Sequence, residues 1–228
     1  VITVLRGLHH GRRAWIVGNG RSLLQTNPRE LNQRGEITFA FNAIWRLPKF
    51  KPTYYCVEDR VVAQDQAADF NAYRADCKII PADLSYCLEA DVYVNFNRSR
   101  RGFPRFSRDA GRVVYWGGTV SYMAMQLAYY MGIRELYCIG MEGYAGIPDD
   151  AKREGAIITS TADNDPNHFD PAYFGKGRKW HDPCQDRMKE AHAEALSQFR
   201  RAGGEIYNCS PDEKWGVFYR RKWETVLA

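Results

Sequence analysis

The chain has no apolar run long enough to cross a bilayer; its longest, over residues 124–133, is short and interrupted. Its first six residues lack the extended apolar segment of a secretory signal, which excludes the usual export leader from this stretch. No two of its six cysteines form a C-x-x-C pair, and Cys56 and Cys138 lie inside apolar runs. That excludes a zinc ribbon or a disulfide frame and predicts buried thiols in a reducing compartment, the cytoplasm. The excess of Lys and Arg over Asp and Glu, 32 to 27, is mild. It suits phosphate-bearing ligands and does not make nucleic acid a partner. The two standard phosphate-loop patterns, G-x-G-x-x-G and G-x-x-x-x-G-K-[ST], are both missing. No D-x-D stands at a strand end; Asp149-Asp150 and Asp163-Asn164-Asp165 read as solvated loop residues, so no metal site is expected. The first residue is Val rather than Met, which fits a piece of a longer protein.

What is present is a sizeable core: 45% hydrophobic residues and 14% aromatics exclude a disordered chain. Short β-like runs alternate with helical patterns, which predicts one α/β domain spanning residues 1–228, Rossmann-like, with a mainly parallel sheet flanked by helices. Strands are expected over 14–17, 37–41, 54–57, 78–80, 91–94, 136–139 and 206–207. Helices are expected over 61–75, 120–131 and 184–202. The second of these carries Val120, Met123, Ala124, Leu127, Ala128 and Met131 at helical spacing behind Gly117-Gly118-Thr119. Ser22 is expected to cap a short helix after the first strand. Residues 143–180 read as a long polar lid loop. Arg98, Arg100, Arg101, Arg105 and Arg108 read as a solvated loop, with a grip on an acidic glycan or an anionic membrane face as the alternative.

In an open α/β sheet, ligands bind beyond the carboxyl ends of the strands. The unusual residues collect there: Gly18-Asn19-Gly20, Asn42, Glu58-Asp59, Gly117-Gly118-Thr119 and the stretch after Gly140. Glycines let a backbone approach a phosphate, and a helix N-terminus supplies free N–H groups. Each element alone is equally a turn or a cap. Together they point to a nucleotide. Of the five histidines, His9, His10 and His192 read as surface residues, which leaves His168 and His181.

Gly18-Asn19-Gly20-Arg21-Ser22-Leu23, Phe41-Asn42, the stretch from Gly118 to Gly140, Asn167-His168-Phe169 and Tyr173-Phe174-Gly175-Lys176-Gly177 resemble the MptE-like family. The likeness extends over about residues 10–212. Arg21 departs from it, standing where the family usually has Pro. That family includes motility accessory factors that glycosylate flagellin with nonulosonic acids, and an archaeal branch that transfers pyrophosphate from ATP to a hydroxymethylpterin. More distantly, the pattern is similar to bacterial CMP-sialic-acid sialyltransferases.

The resemblance implies a metal-independent glycosyltransferase that moves a nonulosonic or related keto-sugar acid from a CMP-activated donor to a glycan or protein hydroxyl. It places the nucleotide on Gly18, Asn19, Gly20, Ser22 and Asn42, with Gly117, Gly118, Thr119 and Tyr173 on the donor. Tyr144 falls on the leaving phosphate. His181, five residues before Asp186 with Lys189 following, matches the general base, and His168 is the second choice. A histidine suits removal of a hydroxyl proton near neutral pH, and a helix N-terminus nearby would keep it neutral. Two other readings stay open. One is an ATP- and Mg²⁺-dependent pterin pyrophosphokinase with Glu58, Asp59 and Glu142 on the metal. The other is a non-catalytic nucleotide-binding module of a larger glycosylation protein.

Overall fold

The computed structural model describes residues 2–143, 146–211 and 213–228. Its centre is an eight-stranded sheet in which every pairing is parallel. Five strands follow in chain order from the middle to one edge: β1 (Arg13–Val17), β2 (Ile37–Phe41), β3 (Tyr54–Cys56), β4 (Cys77–Pro81) and β5 (Val92–Val94). A two-stranded parallel pair, β6 (Phe96–Asn97) and β7 (Val114–Tyr115), stands beside them. The chain then returns to the other side of β1 with β8 (Glu135–Ile139). Between β8 and the rest of that half lies a three-stranded antiparallel sheet of β9 (Lys152–Glu154), β10 (Ile157–Thr159) and β11 (Lys179–His181). The main sheet finishes with β12 (Glu205–Asn208) and β13 (Tyr219–Arg220).

Among the described residues, six α-helices accompany these strands: α1 (Pro28–Gln33), α2 (Arg60–Asp65), α3 (Ala67–Ala72), α4 (Val120–Tyr130), α5 (Gln185–Arg201) and α6 (Trp223–Leu227). Both faces of the sheet are covered, so the strands read as near-continuous apolar runs rather than as alternation. Ala14 and Ile16 face one core with α4 and α5, while Trp15 and Val17 face a second core with α2, α3 and α6. No helix among the described residues is long and apolar enough to cross a membrane.

Three expectations change. The helix expected over 61–75 is two six-residue helices separated at Gln66, whose backbone leaves helical geometry. Ser22 does not cap a helix: Gly20 holds that position, and Ser22 is buried within the 3-10 turn Arg21–Gln25. Of the stretch expected as an open polar loop, residues 146–180 are packed rather than open. Its antiparallel strands are short, but Ile158, Phe169, Tyr173, Phe174 and Trp180 join the second core. The aromatic rings tie it down, with Phe174 stacked on Trp180 and His168 stacked on Tyr173.

Chain order reverses between β1 and β8, which makes the gap at their carboxyl ends the topological switch point. Gly18 follows β1 and Gly140 follows β8, and the two turns touch: Gly18 N–H donates to the Ile139 carbonyl and Gly20 N–H to the Gly140 carbonyl. A Cβ on Gly18 would run into the Gly140 carbonyl oxygen. The first glycine is therefore required by backbone packing.

Candidate functional site

A cleft opens along the carboxyl edge of the sheet, in two connected compartments. The smaller, about 170 Å³, lies at the switch point against Gly18, Asn19, Gly20, Glu142, Tyr173 and His192. The larger, about 460 Å³, extends over Glu58, Arg98, Arg100, Trp116, Gly118 and His181. Asn42, Thr119, Val120, His168 and Met188 line both, so they stand at the junction.

The small compartment is rich in unfilled acceptors. Asn19 Nδ2 donates to the Phe41 carbonyl at 3.1 Å and to the Tyr173 hydroxyl at 3.0 Å. The carbonyl partner fixes the amide's orientation, and Asn19 Oδ1 is left buried with no hydrogen bond. Asn42 holds a left-handed backbone, φ 46°, and its Oδ1 is likewise buried and unpartnered. Its own carbonyl accepts from Tyr55 Oη at 2.5 Å, which pins the turn after β2. Burying acceptors without donors is costly, and these two unpartnered oxygens belong to residues that line the small compartment.

Backbone donors of the turn after β1 are taken up within the chain, those of Gly18 and Gly20 by carbonyls and that of Ser22 by Glu142. Glu142 accepts from Ser22 N at 2.7 Å and from Ser22 Oγ at 2.6 Å, and its carboxylate fills the space a Cβ on Gly20 would need. A carboxylate of the chain itself thus stands where the glycine pattern suggested a phosphate. The N-terminus of α4 is the other helix start in the cleft. Thr119 caps it by accepting from Ser121 N at 3.4 Å, and Gly118 reaches it with φ +80°. Gly117 contributes differently: a side chain there would strike the Tyr122 ring, so this glycine lets the first turn of α4 pack.

His181 sits on β11, half exposed at the wall of the large compartment. Its Nδ1 lies 2.7 Å from Asp59 Oδ2. The other oxygen of Asp59 caps α2, accepting from Val61 N at 2.7 Å and Val62 N at 3.1 Å. One carboxylate therefore fixes both a helix start and an imidazole. The hydrogen bond and charge of Asp59 raise the His181 pKa above its ordinary value, against the effect of burial. This corrects the expectation of a ring kept neutral by the helix end: the nearest influence is an anion, and α5 begins four residues later. Behind the pair, burial pushes the Glu58 carboxyl up to about 7 despite the Arg98 guanidinium beside it.

His168 forms a second histidine–carboxylate pair. Its Nδ1 lies 2.7 Å from Asp165 Oδ2, and its ring stacks flat on Tyr173 with centroids 3.8 Å apart. Asp165 also accepts from the amides of Asn167 and Phe174, and with His168 these hold its carboxyl below the usual range although burial works the other way. Asp165 is buried, not a solvated loop residue. The backbone of His168 bridges to Gly20, and Phe169 N donates to the Asn19 carbonyl, so the two predicted motifs are joined directly.

The fold therefore brings Gly18, Asn19, Gly20, Asn42, Gly118, Thr119, His168, Tyr173 and His181 to one cleft. Ser22 is buried behind Glu142, and Tyr144 lies outside the described residues. The carboxylates suggested for a metal are apart in function. Glu58 pairs with Arg98, Asp59 with His181 and Glu142 with Ser22. Among the described residues, no group of three His, Cys, Asp or Glu side chains could hold a metal ion.

Sequence reasoning missed several members. His192 is not on the surface: it is 1% exposed, its Nε2 is 2.9 Å from Ser121 Oγ, and burial lowers its pKa to about 4. His9 is half-buried, 2.6 Å from the Tyr54 hydroxyl. The arginine loop is largely spent on the protein. Arg98 bridges Glu58 and Asp83, Arg105 lies over Tyr115, and Arg108 bonds Gln198. Arg100 is different: it lies over the Trp116 ring at the cleft and pairs with no carboxylate among the described residues. No protein-family model, curated protein or solved structure matches the chain.

Proposed function

We propose that the cleft binds a CMP-activated keto-sugar acid and that the chain transfers the sugar to a hydroxyl of a glycan or protein. The observation that carries this reading is the pair of buried, unpartnered oxygens on Asn19 and Asn42. They ask for a ligand rich in N–H or O–H donors, and cytosine offers an exocyclic amine. With the base in the small compartment, the nucleotide phosphate reaches the junction, at Gly118, Thr119 and the start of α4, where a helix N-terminus favours an anion. The sugar then lies in the large compartment, where Arg100 is available to its carboxylate.

The chemistry follows from the same placement. The acceptor hydroxyl attacks the anomeric carbon as the bond to the phosphate breaks, through an oxocarbenium-like transition state by analogy with glycoside cleavage. His181 takes the acceptor proton on Nε2, because Nδ1 is engaged by Asp59. Asp59 orients the ring and stabilises the imidazolium formed. This reading draws on the resemblance of the sequence to the MptE-like family and to the CMP-sialic-acid sialyltransferases, which implies a role for Tyr144 at the leaving phosphate.

A thermal-shift panel of CMP, CDP, UMP, UDP, GDP, ADP and ATP, with and without Mg²⁺, tests the ligand class. CMP at 100 times its Kd is expected to stabilise the chain by about 2.7 kcal/mol, without a metal requirement. Stabilisation by ATP with Mg²⁺ alone would favour the pyrophosphokinase instead.

A further inference from the structure

Two oriented histidine–carboxylate pairs line one cleft, and they differ in position. His181 with Asp59 belongs to the large compartment alone. His168, paired with Asp165 behind it, is the only titratable side chain among the described residues that lines both compartments. On the reading above, the junction is where nucleoside ends and sugar begins, and so where the scissile bond between anomeric carbon and phosphate oxygen must lie. We propose that the two histidines divide the proton work, with His168 as the acid that protonates the departing phosphate and His181 as the base for the acceptor.

The build of the His168 site suits that role. Asp165 engages Nδ1, which leaves Nε2 as the nitrogen open to the cleft. The ring is held by stacking on Tyr173, by the edge of Phe174, and by the bridge of its own backbone to Gly20. Such rigid support is what a proton donor needs at a fixed point of the reaction path. In the step itself, the bond from the anomeric carbon to the phosphate oxygen breaks and its electron pair goes to that oxygen. His168 Nε2 delivers its proton there, giving CMP as the singly protonated monoester. The acceptor oxygen forms the new bond to the anomeric carbon and loses its proton to His181 Nε2. Both rings then return to their starting states by exchange with water.

This inference rests on the transferase reading, and the test separates the two. CMP release from a CMP-activated keto-sugar acid is followed in wild type and in His168→Ala, with CMP affinity measured by calorimetry. The variant is expected to bind CMP and to lose about 10²–10⁴-fold in kcat, the range for removal of a general acid. Added imidazole is expected to restore part of that rate, which it would not do for a purely structural residue. If the ring matters only for packing, His168→Ala lowers Tm and imidazole restores nothing, and the division of labour is overturned. It is also overturned if His168→Ala keeps wild-type kcat. A wild-type protein that binds no CMP overturns the transferase reading itself, whatever the variant does.

Discussion

The carboxylate of Glu142, after β8, lies on the amide and hydroxyl of Ser22, after β1, at 2.7 and 2.6 Å. This contact closes the switch point from within and takes up both donors of Ser22, just after the glycine turn. Glu142→Ala leaves a buried N–H and a buried hydroxyl unpaired, which costs about 1–3 kcal/mol of stability for such a group. Gly20→Ala is expected to cost a similar amount by displacing the carboxylate. Urea unfolding measures both; unchanged midpoints would show that the contact is not made in solution.

Asn42 is a sensitive test of the proposed nucleotide site. Its φ of 46° strains any replacement with a Cβ, so Asn42→Ala mixes backbone strain with lost recognition. Asn42→Gly keeps the turn and removes only the amide. It is expected to weaken CMP binding by about 1–3 kcal/mol, roughly 5- to 150-fold, with little loss of Tm. Calorimetry with unchanged affinity would remove Asn42 from the site.

Stability should carry the signature of Glu58. Its folded-state pKa is raised from 4.5 to about 7 by burial. The folded chain thus holds a proton that the unfolded chain releases between these values. The contribution is fully present below pH 4.5 and is lost as pH rises through about 7. Glu58→Gln is expected to flatten the fall of Tm with pH across that window. An identical slope in wild type and variant would contradict the burial of this carboxyl.

The segment over 146–180 is expected to be ordered before any ligand arrives. Ile158 and Trp180 are paired across β10 and β11 and packed in the core. Hydrogen exchange of these amides is expected to be slow in the ligand-free protein and to change little with CMP. Fast exchange that becomes slow on adding nucleotide would restore the picture of a mobile lid.

The parallel sheet was legible because its central strands are buried on both faces and read as apolar runs, such as Trp15-Ile16-Val17 and Ile37 to Phe41. The cap at Thr119 was legible because a hydroxyl followed by an apolar periodic run is a helix start. His192 was legible too, had periodicity been weighed against residue type. Ala195, Leu196 and Phe199 follow it at three, four and seven residues, so it shares the buried face of α5. The strands β9 to β11 had no such signal, since Lys-Arg-Glu and Lys-Trp-His carry no alternation of apolar residues. Their order comes from aromatic stacks within the same segment, His168 on Tyr173 and Phe174 on Trp180, and from its apolar residues joining the second core. The pairs Asp59–His181 and Asp165–His168 divide the same way. The first joins residues 122 apart and needs the fold; the second joins residues three apart and was visible only as a D-x-D in a loop.

The proposed transfer starts from a CMP-activated keto-sugar acid and uses His181 as its base. The direct measurement is CMP release on adding an acceptor hydroxyl, followed by chromatography, for wild type and His181→Ala without added metal. Wild type is expected to turn over, and the variant to fall about 10²–10⁴-fold in kcat while CMP affinity stays nearly unchanged. Equal turnover in the two proteins, or turnover with ATP and Mg²⁺ and none with the CMP donor, would contradict the account.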